Sequence, residues 1–187
     1  MANPAHREAT YEDLAALPAN VTGQILFGVL HAHPRPAPKH AQAASTLGEE
    51  LGPPFKRGRG GPGGWLILDE PELHLGPHVI VPDLAGWRRE RMPEVPVDKA
   101  YFELAPDWIC EVLSPSTASL DRGDKPKAYR AFDVAHVSFV DPEAQTLEIL
   151  AHDDKGYRVF EVFSGAAKVR AAPFDAIELD LGLLWAR

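Results

Sequence analysis

At 187 residues, with 45% hydrophobic and 25% charged side chains, the chain has the composition of a packed globular protein of one-domain size, which excludes a disordered or fibrous polymer. Its formal net charge of −8 argues against strong nonspecific attraction to polyanions, because that attraction rests on Lys and Arg displacing counterions from phosphates. Cys110 is the only cysteine, so no disulfide forms within the chain, and no stretch reaches the ~18 consecutive apolar residues of a membrane helix.

In chain order, Thr10 with Asp13 three places later is a capping-box start, and Leu14 and Leu17 share one side of a short helix that Pro18 closes. The run QILFGVL, residues 24–30, reads as a strand or hairpin, and the Pro-rich HPRPAPK after it as a loop. His40 then opens a second helix with Ala44, Leu47 and Leu51 along one apolar stripe. Five glycines between Gly58 and Gly64 predict a flexible turn. It lacks the Gly-Lys-Ser/Thr ending of a phosphate loop, and Arg57 and Arg59 beside it read as solvated charges.

Six β-rich runs follow: Trp65 to Leu68, His78 to Val81, Trp108 to Leu113, Val137 to Val140, Leu147 to Leu150 and Tyr157 to Phe163. The turns at Pro142 and at Asp153 to Gly156 make the last three an antiparallel meander. Between Leu113 and Val137 the spacing of Lys125, Tyr129 and Phe132 predicts a helix that tolerates Pro126 only in its first turn. The apolar C-terminal segment is expected to dock on the domain. The pattern as a whole is a mixed α/β (α+β) sheet flanked by helices, in a single domain over residues 1–187.

Chemistry concentrates in two segments. VIVPDLAGW delivers Asp83 at the end of one apolar strand, and DWICEVLSPST carries Glu111 inside another. A carboxylate buried there costs several kcal/mol unless it is paired or bound to a cation. Hard oxygen donors of this kind suit Mg²⁺ or Mn²⁺. Glu70, with Asp69 or Glu72 as near alternatives, is a third acid able to complete the shell. Lys125 or Lys127 supplies the ammonium that would orient a water for attack on a phosphodiester and assist its deprotonation.

These residues resemble the Uma-two group of endonucleases within the PD-(D/E)XK superfamily, and the likeness covers nearly the whole chain. It rests on PDLAGW around Asp83, EVLSPST from Glu111, DRGDKPKAY leading to Lys125 and Tyr129, and FVDP ending at Asp141 and Pro142. The resemblance implies a restriction-endonuclease-like sheet and Asp83 and Glu111 as metal ligands on neighbouring strands. It also implies a lysine moved from two places after Glu111, where Leu113 stands, onto the following helix. Nucleic acid, DNA foremost, is the expected partner. A homodimer is expected from the symmetry of duplex substrates, and a cytoplasmic location from the reduced cysteine and the lack of a signal-like start.

The chain departs from the family pattern at Gln24, where an acid commonly stands, and at Ser138 and Phe139, where Trp is common. Ser114, Ser116 and Thr117 read as a turn and helix cap rather than nucleophiles, since the glycines of a nucleophile elbow are missing. His31 and His33 alternate on one strand face ahead of His40, but the spacing is too loose for a zinc motif. His40 remains a candidate to face the cleft from its helix, and Tyr129 reads as core.

Overall fold

The computed structural model describes residues 7–185. A short helix, Tyr11–Ala15 (α1), is closed at its start by the reciprocal capping box of Thr10 and Asp13. The next run is a hairpin of Val21–Leu26 (β1) and Val29–Pro34 (β2). Its two-residue turn puts Phe27 and Gly28 at φ 51° and 75°, the left-handed pair that matches strand twist. The second helix, Pro38–Leu51 (α2), begins two residues ahead of His40, because Pro38 fits the first turn, where its missing N–H leaves no bond unmade. His40, Ala43, Leu47 and Leu51 are its buried residues.

Beyond a π-helical turn, Gly52–Lys56, and the glycine loop come Trp65–Asp69 (β3), Leu73–Leu75 (β4), His78–Ile80 (β5) and Leu84–Arg88 (β6). Then follow Trp108–Val112 (β7), Ala118–Arg122 (α3), Asp124–Ala131 (α4), His136–Asp141 (β8), Thr146–Asp153 (β9) and Gly156–Ser164 (β10). Two short strands, Lys168–Val169 (β11) and Leu179–Asp180 (β12), pair with each other ahead of a 3₁₀ turn, Leu181–Trp185.

The main sheet has six strands in the order β10-β9-β8-β7-β6-β3. Only β7 and β8 are parallel, and α3 and α4 make the crossover between them. A second sheet, ordered β2-β1-β5-β4, stands beside it. The expected α+β class and the meander of β8, β9 and β10 are therefore present.

Two findings differ from the expectation for VIVPDLAGW. The strand that should deliver Asp83 ends at Ile80 and belongs to the smaller sheet, and Asp83 instead heads the next strand, β6. Gly86 hid that strand from a propensity reading. A Cβ there would lie 3.1 Å from Trp108 and 3.2 Å from Trp65, so glycine is what lets two indoles pack over the middle of β6.

The main sheet separates two cores. Trp65, Ile67, Leu84, Trp108, Cys110 and Val112 join α2 and the C-terminal segment on one face, where Leu181 and Leu184 complete the docking expected of the C-terminus. Leu66, Ala85, Ile109 and Phe139 face the other side with Tyr129 of α4 and the smaller sheet. Strand alternation sends every second residue of β7 to that second face, and Glu111 follows Ile109 there. No helix among the described residues is long and apolar enough to cross a membrane.

Candidate active site

The register of the sheet sets the site. Leu84 of β6 lies opposite Cys110 of β7, so Asp83 and Glu111, one step farther on each antiparallel strand, come to the same end of the sheet. Both line a cleft of about 240 Å³ together with Lys125, Asp121, His40, Glu70 and Gln24. Glu111 is 1% exposed and accepts one hydrogen bond at each oxygen: Lys125 Nζ donates to Oε2 at 2.8 Å and the Tyr129 hydroxyl donates to Oε1. Lys125 is held from its other side by Asp121 at 2.9 Å. Asp83 accepts the Val112 amide at 2.7 Å, and its second oxygen lies 3.2 Å from His40 Nε2.

This buried cluster holds more carboxylates than cations. Burial pushes the Glu111 carboxyl up to about 8; Lys125 opposes the shift, and the neighbouring Asp121 and Asp83 add to it. Lys125 itself is held above its ordinary value: burial works against its charge, and the two carboxylates on either side outweigh that cost. It therefore stays an ammonium. Tyr129 is pushed well up by burial and by Glu111. For His40, burial disfavours the imidazolium, but Asp83, Asp121 and the Val112 backbone outweigh it and raise its pKa.

Other expected residues fall differently. Lys127 is exposed on the opposite side of α4's first turn, paired to Asp124 at 2.7 Å, and does not reach the cleft. Glu72 is turned away and bonds His74 and Tyr11. Glu70 lines the cleft but is exposed on a turn at φ 44°, with its amide donating to the Asp83 carbonyl at 3.0 Å. Gln24 is 2% exposed and spends its amide on the Val81 N–H, at 3.2 Å, and on His33, at 3.3 Å. Tyr129 is core, as its sequence spacing indicated, yet its hydroxyl reaches Glu111.

A family model described as "Putative restriction endonuclease", Uma2, matches residues 9–182. The chain belongs to the Uma2 family. Its fold is shared with a solved structure described as a "putative nuclease belonging to DUF820 from Anabaena variabilis ATCC 29413", at a TM-score of 0.75 and 22% identity over 95% of this chain and 97% of that one. Among curated proteins, none matches the chain.

Within this Uma2 chain, no group of three or more His, Cys, Asp or Glu among the described residues is spaced to hold a metal ion. The expected three-acid shell of Asp83, Glu111 and Glu70 is thus not assembled: Glu70 lines the cleft but stays exposed. Two oxygen donors on adjacent strands remain, a number that suits Mg²⁺, which retains most of its waters, and not a closed zinc cage. The excess of buried carboxylate is what a divalent cation would offset.

Asp121 was missed from sequence, and His33, read there as an ordinary surface histidine, stands at the cleft wall. The signal for Asp121 was present: it stands four residues before Lys125, the spacing of an intrahelical ion pair.

Proposed function

We propose that this Uma2 chain is a Mg²⁺- or Mn²⁺-dependent endonuclease of the PD-(D/E)XK type that hydrolyses phosphodiester bonds of nucleic acid, DNA foremost. The observation that carries the reading is the convergence of Asp83, Glu111 and Lys125 on one cleft from β6, β7 and α4. Asp83 and Glu111 would hold the cation. When bound, it supplies Lewis acidity and neutralises charge developing on the phosphoryl group.

The protein's own groups do the positioning. An ammonium has three donors, and Lys125 uses two on Glu111 and Asp121, which leaves one to orient an attacking water. Its raised pKa makes it an electrostatic group and not a proton acceptor, a narrower role than sequence reading gave it. Tyr129 fixes the Glu111 carboxylate, and His40 steadies Asp83.

A second reading, a non-catalytic module of the same fold that binds nucleic acid or protein, is favoured by Gln24, an amide where the resemblance leads one to expect an acid, and by the net charge of −8. Cleavage of single- and double-stranded DNA with Mg²⁺ or Mn²⁺ decides between them. Loss of activity in both Asp83→Ala and Glu111→Ala supports the nuclease, and no cleavage by the native chain under either cation overturns it. Sedimentation with and without a duplex tests the proposed homodimer.

A further inference from the structure

The cleft is a poor host for a phosphate as its acids stand. Glu70, Asp83, Glu111 and Asp121 all line it, and Lys125 is already spent on two of them. Among the described residues, only one other permanent cation lines it: Arg35. Arg35 is exposed and, among the described residues, has no ion-pair partner. Its backbone is held on both sides. Pro34 has its φ locked by its ring, and Pro36 confines the residue before it to extended conformations, so the base of the Arg35 side chain is presented at little entropic cost.

A separate segment contributes donors to the same cleft. After β7, Ser114 shares hydrogen bonds with Ser116, at 3.0 Å, and Thr117, at 2.9 Å. Three hydroxyls carry three protons, and two hydrogen bonds consume two of them, which leaves one O–H unspent within the cleft lining. A guanidinium fork and a hydroxyl donor on two walls are what a phosphate oxygen pair accepts.

We propose that Arg35, with the one unspent hydroxyl of the Ser114, Ser116 and Thr117 set, anchors a backbone phosphate of the nucleic-acid strand beside the scissile one. The proposal rests on the nuclease reading and adds the residue that draws a polyanion into an acidic cleft. Arg35 is a substrate-binding group, so its removal acts on binding and on KM more than on kcat.

The test is fluorescence anisotropy of a labelled DNA oligonucleotide in EDTA, across a series of salt concentrations, alongside steady-state cleavage in Mg²⁺. Arg35→Ala is expected to weaken binding about tenfold, the range of a lost charge-assisted hydrogen bond. It should also reduce the salt dependence by about one released ion. Arg35→Lys restores the salt dependence but not the full affinity, because an ammonium has no bidentate fork. Arg57→Ala, on the glycine loop beyond α2, leaves both unchanged. Unaltered binding by Arg35→Ala, or an equal loss in Arg57→Ala, overturns the anchor while the nuclease reading stands on the native chain's cleavage. A native chain that neither binds nor cleaves DNA overturns both.

Discussion

Asp121 and Lys125 form a 2.9 Å ion pair across the junction of two helices, each about 3% exposed. The i,i+4 spacing is that of a continuous helix, but the chain breaks between them at Gly123, with φ −101° and ψ −81°. A Cβ on Gly123 would lie 2.6 Å from the Ser119 carbonyl oxygen, so only glycine lets the two helices meet closely enough for the pair to form.

Gly123→Ala therefore forces a backbone shift. It is expected to cost about 1–3 kcal/mol, the range for overpacking against an unyielding neighbour. Urea denaturation measures this, and cleavage should fall with it because Lys125 loses its second anchor. A variant as stable and as active as the native chain would mean that the junction relaxes freely.

Lys125→Met removes the one permanent cation between Glu111 and Asp121, and with it the partner that favours the ionised form of the Glu111 carboxyl. Breaking a buried pair in this way costs about 3–5 kcal/mol. The loss should shrink as pH falls below about 8, since a protonated Glu111 carboxyl no longer draws on the charge of the ammonium. Denaturation at alkaline and at mildly acidic pH checks this, and a pH-independent loss would point to packing alone.

Glu111 gives a pH dependence with a definite sign. Its carboxyl ionises near 4.5 ordinarily and near 8 in the fold. Between those values the unfolded chain has released a proton that the folded chain keeps, so raising the pH favours unfolding, and the cost levels off above about 8. Thermal melts in EDTA should show stability falling through this window. Glu111→Gln should flatten the fall, and added Mg²⁺ should reverse it, most strongly at the alkaline end, because cation binding requires the ionised carboxylate. Identical pH profiles for the native chain and Glu111→Gln would refute the assignment.

Legibility followed the kind of signal involved. Strands with strong β-propensity, the capping box at Thr10 and the meander after Asp141 were visible, because local chemistry decides them. β6 was not, because Gly86 lowers its propensity and is explained by two indoles from other strands. Asp83 and Glu111 stood out as acids in apolar surroundings, yet their shared end of the sheet depends on the Leu84–Cys110 register, which no local pattern encodes. Lys125 stood ahead of Lys127 in sequence only by sharing a helix face with Tyr129. Which one turns inward follows from Asp121 and Glu111 waiting on one side of α4, a tertiary fact.

Gln24 offers a test of how far the departure from the family pattern matters. Its amide oxygen accepts the Val81 N–H and its nitrogen meets His33, so Gln24→Glu keeps the first bond and offers an acceptor to a ring N–H of His33 in the second. Without cation, the added buried charge is expected to lower stability. With Mg²⁺, the extra carboxylate raises the charge facing the ion, and affinity is expected to rise about tenfold, since site charge is a main determinant of divalent-cation affinity. Calorimetric titration of Mg²⁺ into both proteins measures it. A gain accompanied by faster cleavage would mark Gln24 as an attenuating substitution in a working site. No gain would mean that the position lies too far from the ion to serve it, leaving Asp83 and Glu111 as the whole protein contribution.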